Sequence, residues 1–216
     1  VHTHTTATPE KVAAFRPDIV VLATGGHHQV PDIPGIDRRS VMSSTRLHRL
    51  AKLALTVARP ARLRQLSGLH LPLIGDRVVV MGARLHGLQT AEFLVHRGRS
   101  VTVVDGCSRE EVGEGLVEVF LKPYLLYWLA DHGVEIVTDA TFERVTDDGL
   151  VVGLPEGASR TLAADTIVTA LPLEPDTTLL ERFAGVAPDV RMIGDAADPG
   201  LVYHAIRAGA RAGREV

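Results

Sequence analysis

The chain has 216 residues, 45% hydrophobic and 23% charged, with a formal net charge of −3. That composition supports a folded core of one large domain or one and a half small ones, and excludes a disordered tail. The slightly acidic balance argues against nucleic-acid and polybasic membrane binding, and no apolar run reaches the roughly 18 residues of a membrane-spanning helix. The single cysteine, Cys107, excludes a disulfide framework, a CxxC redox pair and an iron–sulfur cluster held by this chain alone. It points to a cytoplasmic location. The chain opens on Val1 without a signal peptide and reads as a piece of something longer.

Residues 1–6 alternate β-branched residues with histidines, as a short strand does. Thr8, Pro9 and Glu10 supply an N-cap, a first-turn proline and a first-turn acid for a short helix ending near Arg16-Pro17. Asp18 to Leu22 and then Ala23-Thr24-Gly25-Gly26 form a continuous apolar run closed by glycines, the pattern of a strand buried on both faces. Residues 27–43 are loop-like. Ser44 or Thr45 caps a helix carrying Leu47, Leu50, Leu53, Ala54 and Val57, which Pro60 ends, and 61–75 are further connection.

Arg77 to Met81 is a second buried strand, Leu88 to His96 a helix stopped by Gly98, and Ser100 to Val104 a third strand. Residues 77–105 span 29 positions, close to the roughly 30 of a parallel strand–helix–strand crossover. Leu121, Leu125, Trp128 and Leu129 share one face of a helix, and Val134 to Val137 is a fourth strand. Residues 141–162 read as a small antiparallel meander. Thr166 to Ala170 and Val190 to Ile193 are buried strands. A last helix from about Leu201 places Val202, Ala205, Ile206 and Gly209 on one face. The class is α/β, a Rossmann-like fold with a parallel sheet and a small antiparallel meander.

The turn after Met81 reads Gly82-Ala83-Arg84-Leu85-His86-Gly87, where a dinucleotide fold carries GxGxxG. In that motif the first glycine makes the turn, the second admits the pyrophosphate and the third lets helix and strand pack closely. The helix N-terminus then offers free N–H groups to the phosphates. Here Arg84 stands in place of the second glycine. It either blocks the pyrophosphate or pairs with it. Asp105 lies 23 residues beyond Gly82, near the spacing of about 20 for the acid that accepts ribose hydroxyls. An aspartate there favours NAD over NADP, whereas Arg109 just beyond can pair with a 2′-phosphate.

The segments DIVVLATGG (18–26), IPGID (33–37), VVVMG (78–82), TAEFL (90–94), VTVVD (101–105), GVEIVT (133–138) and IGDA (193–196) occur in an order that resembles the C-terminal half of the NADH:flavin oxidoreductases similar to 2,4-dienoyl-CoA reductase and trimethylamine dehydrogenase. The resemblance covers most of the chain. It implies that a flavin (FMN) barrel and a 4Fe-4S cluster lie outside these residues, and that the chain is a fragment of a two-lobe flavoprotein reductase. Residues 1–35 and 173–216 would be two pieces of an FAD-binding lobe, 36–75 a connecting segment, and 76–172 an inserted NAD(P)-binding-like lobe. It further implies that Ala23, Thr24 and Gly25 pass beside FAD, and that Asp195 of the Gly194-Asp195 pair bonds the ribityl chain. The helix starting near Leu201 would point its N-terminus at the isoalloxazine. Gln89 and Pro172 stand where the family usually has a glutamate and a glycine. With Arg84 they make three departures around one cleft, as in the amine-dehydrogenase branch, whose inserted lobe does not use NAD and whose electrons leave to a protein acceptor.

The remaining residues read more plainly. His2 and His4 lack the third and fourth ligands of a metal site. His27 and His28 read as a solvated loop, His86 as a neighbour of the nucleotide, and Cys107 as a small structural residue. Tyr124, Tyr127 and Trp128 read as packing residues.

Overall fold

The computed structural model describes residues 1–57, 74–116 and 120–215. Pro60 and most of the expected connection at 61–75 lie outside them. The chain divides into two units, a discontinuous one of 1–29 with 173–216 and a continuous one of 30–172.

The continuous unit is built on five parallel strands in the order β3-β10-β4-β5-β6: β3 (Val41–Ser43), β10 (Thr166–Thr169), β4 (Arg77–Met81), β5 (Ser100–Val104) and β6 (Glu135–Val137). Helix α3 (Leu85–Val95) joins β4 to β5, and α4 (Leu121–Asp131) lies between β5 and β6. A three-stranded antiparallel sheet, β7 (Thr141–Val145), β8 (Gly149–Gly153) and β9 (Ser159–Ala163), follows. The period of two along β4 assigns its faces. Val78 and Val80 pack with Leu88, Ala91, Leu94 and Leu129 of the helices. Val79 and Met81 pack with Val145, Leu150, Val152 and Leu162 of the small sheet. Both faces are covered, which is why these strands read as unbroken apolar runs. Residues 27–43, expected to be loop, contain β3, because pairing with β10 supplies ladder partners that local sequence does not announce. The helix after it, α2 (Ser44–Val57), is capped one residue earlier than expected: Ser43 Oγ accepts from Arg46 N–H at 3.2 Å.

The discontinuous unit pairs β1 (Ile19–Leu22) in parallel with β12 (Asp189–Met192), and β2 (His27–His28) antiparallel with β11 (Leu173–Glu174). Its helices are α1 (Pro9–Ala13), α5 (Thr178–Arg182) and α6 (Val202–Ala212). Thr8 caps α1, with its side chain accepting from Lys11 N–H. Three expectations are corrected here. Residues 1–6 form no strand. Strand β1 is buried on one face, through Val20 and Leu22 against Phe183, while Val21 is exposed. Helix α6 turns Ala205, Ala208, Gly209 and Ala212 inward, and leaves Val202 and Ile206 outside. Small residues, not the large apolar ones, let it approach.

On α4, Leu125 and Leu129 are buried, but Tyr124 and Tyr127 are exposed and do not pack as expected. Replacing the fully buried Leu129 with alanine should lower unfolding free energy by about 2–5 kcal/mol, read from a urea transition. Cys107 is buried in the helix-side core. Burial first, and the Asp105 and Glu111 carboxylates next, push its thiol up to about 11. Alkylation of the folded protein at pH 8 should therefore be slow, rising toward pH 11. Stability should fall as pH climbs from the unfolded thiol's range toward that value, because the folded state holds the proton longer.

Candidate functional site

Strand β4 runs to β5 and β6 on one side, while β10 and β3 return on the other. The C-terminal end of β4 therefore sits at the point where strand order reverses, the place open α/β sheets use for ligands. Gly82 occupies that end with φ +123°, and a Cβ on it would lie 2.5 Å from the Ala170 carbonyl oxygen. A Cβ on Gly87 would overlap the Gly82 carbonyl. The outer glycines are thus required by β10 and by the packing of α3 on β4. The middle position is not: Arg84 is the N-cap of α3 at φ −86°, ψ −171°, extended backbone open to any residue.

Asp105 is buried and bound into this turn. Its Oδ2 accepts from Ala83 N–H at 2.6 Å and its Oδ1 from Cys107 N–H at 3.1 Å. Arg84 folds back over the turn to two acids from the stretch after β5. Its guanidinium pairs with Glu114 and lies 3.6 Å from Glu111. Ser108 donates to Glu111 through both N–H (2.8 Å) and Oγ–H (2.9 Å), which, with Arg84, holds that carboxyl below its usual range. The backbone closes too: Leu85 N–H donates to Glu114 O at 3.0 Å and Gly113 N–H to Ala83 O at 2.8 Å. All three side chains are well exposed, so solvent and salt screen both ion pairs and each is weak.

Arg109 is exposed and makes no ion pair among the described residues. His86 and Gln89 are also exposed, at the start of α3. Glu111 and Glu114 escaped the sequence reading because nothing local ties them to Arg84. Two acids spaced by three, opposite an arginine replacing a glycine, were the available signal.

In the discontinuous unit, Ala23 and Thr24 are exposed and Gly25 is half-buried with φ +86°. A Cβ on the next residue, Gly26, would meet Glu174 O at 2.6 Å and Asp195 O at 2.9 Å, so three backbone segments converge there. Gly194 and Asp195 form a short 3₁₀ turn, and Asp195 Oδ1 accepts from Gly200 N–H at 3.1 Å. Leu201 N–H donates to His204 Nδ1 at 3.1 Å, so α6 caps its own first turn. A cavity of about 300 Å³ opens beside this turn, lined by Arg191, Gly194, Asp198, His204 and Arg211 among others. That is the lower end of ligand-sized clefts. His27, read as solvated loop, instead places Nε2 3.0 Å from Asp176 Oδ2. Thr178 donates to the other oxygen at 2.6 Å; that bond, then His27, lowers the Asp176 carboxyl.

Among the described residues no group of three or more His, Cys, Asp and Glu could hold a metal ion, and no helix is long and apolar enough to cross a membrane.

The model of the family described as "Pyridine nucleotide-disulphide oxidoreductase" matches residues 2–209. An NADH oxidase of Thermoanaerobacter brockii is 26% identical over 211 residues, which are 97% of this chain and 29% of that protein. The solved structure of 2-naphthoyl-CoA reductase with 2-naphthoyl-CoA superposes with TM-score 0.73 at 27% identity, over 98% of this chain and 29% of its own. Histamine dehydrogenase from Rhizobium sp. 4-9 shares the fold, with TM-score 0.72 at 20% identity, over 98% of this chain and 31% of its own. The chain thus spans about a third or less of each of these proteins. With the Rossmann-like sheet, the two-glycine turn and a family match over nearly its whole length, the chain belongs to the pyridine nucleotide-disulphide oxidoreductase family.

Proposed function

We propose that the chain is the dinucleotide-binding portion of a larger flavin-dependent oxidoreductase, in which NAD(P)H reduces FAD and electrons continue to a 4Fe-4S cluster and FMN held outside these residues. The observation that carries this reading is the Gly82–Gly87 turn at the reversal of strand order, with the Asp105 carboxylate built into it. The cofactors would supply the hydride and electron chemistry; the protein's part is to hold and orient them. The outer glycines and Asp105 fit a dinucleotide: close backbone approach, and an acid with lone pairs left for ribose hydroxyls. Only the middle of the turn is closed, by the protein's own Arg84, Glu111 and Glu114.

In the same reading, residues 1–35 and 173–216 belong to the FAD lobe, 36–75 connect, and 76–172 form the NAD(P)-binding-like lobe. The separation of 1–29 with 173–216 from 30–172 supports that assignment. Ala23, Thr24 and Gly25 would line the flavin. Asp195 would accept a flavin hydroxyl through Oδ2, which has no hydrogen bond among the described residues. Leu201 would open the helix aimed at the ring. Arg109, which makes no ion pair among the described residues, would decide between NADH and NADPH. A cytoplasmic location completes this reading.

The ion-paired Arg84 favours a second reading, in which the lobe has lost its nucleotide and serves as a scaffold for a protein that accepts electrons. An anaerobic titration of the full-length protein separates the two. Flavin absorbance should bleach with NADH or NADPH; if neither reduces it, the first reading fails. Arg84→Gly restores the missing glycine. Tighter dinucleotide binding in that variant marks Arg84 as an obstruction, and weaker binding marks it as a phosphate ligand. Both outcomes support the first reading, whereas absence of binding in both proteins supports the second.

A further inference from the structure

We propose that residues 108–116 are a built-in competitor for the nucleotide pyrophosphate, held in place by the clasp of Arg84 on Glu111 and Glu114. The proposal rests on reading this lobe as a dinucleotide site and concerns what occupies that site before the nucleotide does. Leu85 N–H is the first amide of α3, one of the groups a helix N-terminus offers to a phosphate. Here the Glu114 carbonyl oxygen already accepts from it. The competitor supplies charge as well. Two carboxylates flank one guanidinium, so an arriving pyrophosphate meets net negative charge where the fold otherwise offers positive.

The segment is anchored to do this. Val112 and Leu116 are buried in the same core as Leu88 and Ala91 of α3. Gly113 N–H bonds Ala83 O, and Ser108 fixes Glu111 independently of Arg84. Binding then has two stages. The clasp opens, freeing Leu85 N–H and the Arg84 guanidinium, and both turn to the phosphates. Apparent affinity is the intrinsic affinity reduced by the fraction of open molecules.

The test is calorimetric binding of NAD⁺, which involves no turnover, to the full-length protein carrying Glu111→Gln and Glu114→Gln. Both side chains are about half exposed, so the substitutions leave the core intact, and thermal melting checks this. Glu114→Gln alone is the second variant. The double variant should bind about tenfold more tightly, because Arg84 is released from two carboxylates and free to make a charge-assisted bond. The single variant should move part of the way. Adding Arg84→Gly to the double variant should remove the gain. Measurable binding with the same Kd in wild type and double variant overturns the clasp and leaves the dinucleotide reading standing. Binding in none of them overturns both.

Discussion

Everything at the candidate site depends on how closely α3 can approach the end of β4. The Gly87 Cα rests against the Gly82 carbonyl, and Gly82 itself lies under the Ala170 carbonyl of the neighbouring strand. No side chain fits at either point. This contact sets the start of α3, and so where its first N–H groups point. Asp105, from the end of β5, then ties the turn to the next strand through Ala83 N–H. Three segments separated in sequence are locked by backbone geometry and one buried carboxylate.

The middle of the turn escapes that constraint. Arg84 sits in extended backbone, so the fold tolerates it, and its consequences are electrostatic rather than steric. Its charge is returned to Glu111 and Glu114 of the same lobe. The lobe therefore keeps both outer glycines and the buried acid while the middle of its turn faces the protein's own carboxylates. The contacts over the turn are two exposed ion pairs and two backbone N–H···O bonds, Leu85 to Glu114 and Gly113 to Ala83, and exposed ion pairs are individually weak.

The two units solve their packing differently. In the continuous one, both faces of the parallel sheet are covered, and the core includes many fully buried Val and Leu residues. In the discontinuous one, β1 buries a single face, and α6 approaches through alanines and glycine with Val202, Tyr203 and Ile206 outside. The cavity beside Gly194, with Arg191 and Arg211 on its wall, belongs to this more open unit.

The strand–helix–strand unit at 77–105, its outer glycines, its terminal acid and the antiparallel meander were all legible in the sequence, because each is signalled by local periodicity or by residues at short fixed spacing. The same signals misled where one side of a pattern was ambiguous: residues 1–6 alternate without pairing, and Val202 and Ile206 are apolar without being buried. Strand β3 was illegible because its partner, β10, lies more than a hundred residues away. The state of Arg84 was illegible because its partners follow the next strand rather than lying at a short fixed spacing. Its guanidinium pairs with Glu111 and Glu114, whose segment is anchored by Val112 and Leu116 in the core. Local sequence determined that this chain of 216 residues, one domain or one and a half by composition, carries a Rossmann-like strand–turn–helix with its outer glycines and terminal acid. Tertiary packing decided which charges meet at that turn, since Arg84 follows the C-terminal end of β4 and Glu111 and Glu114 follow the same end of its parallel neighbour β5.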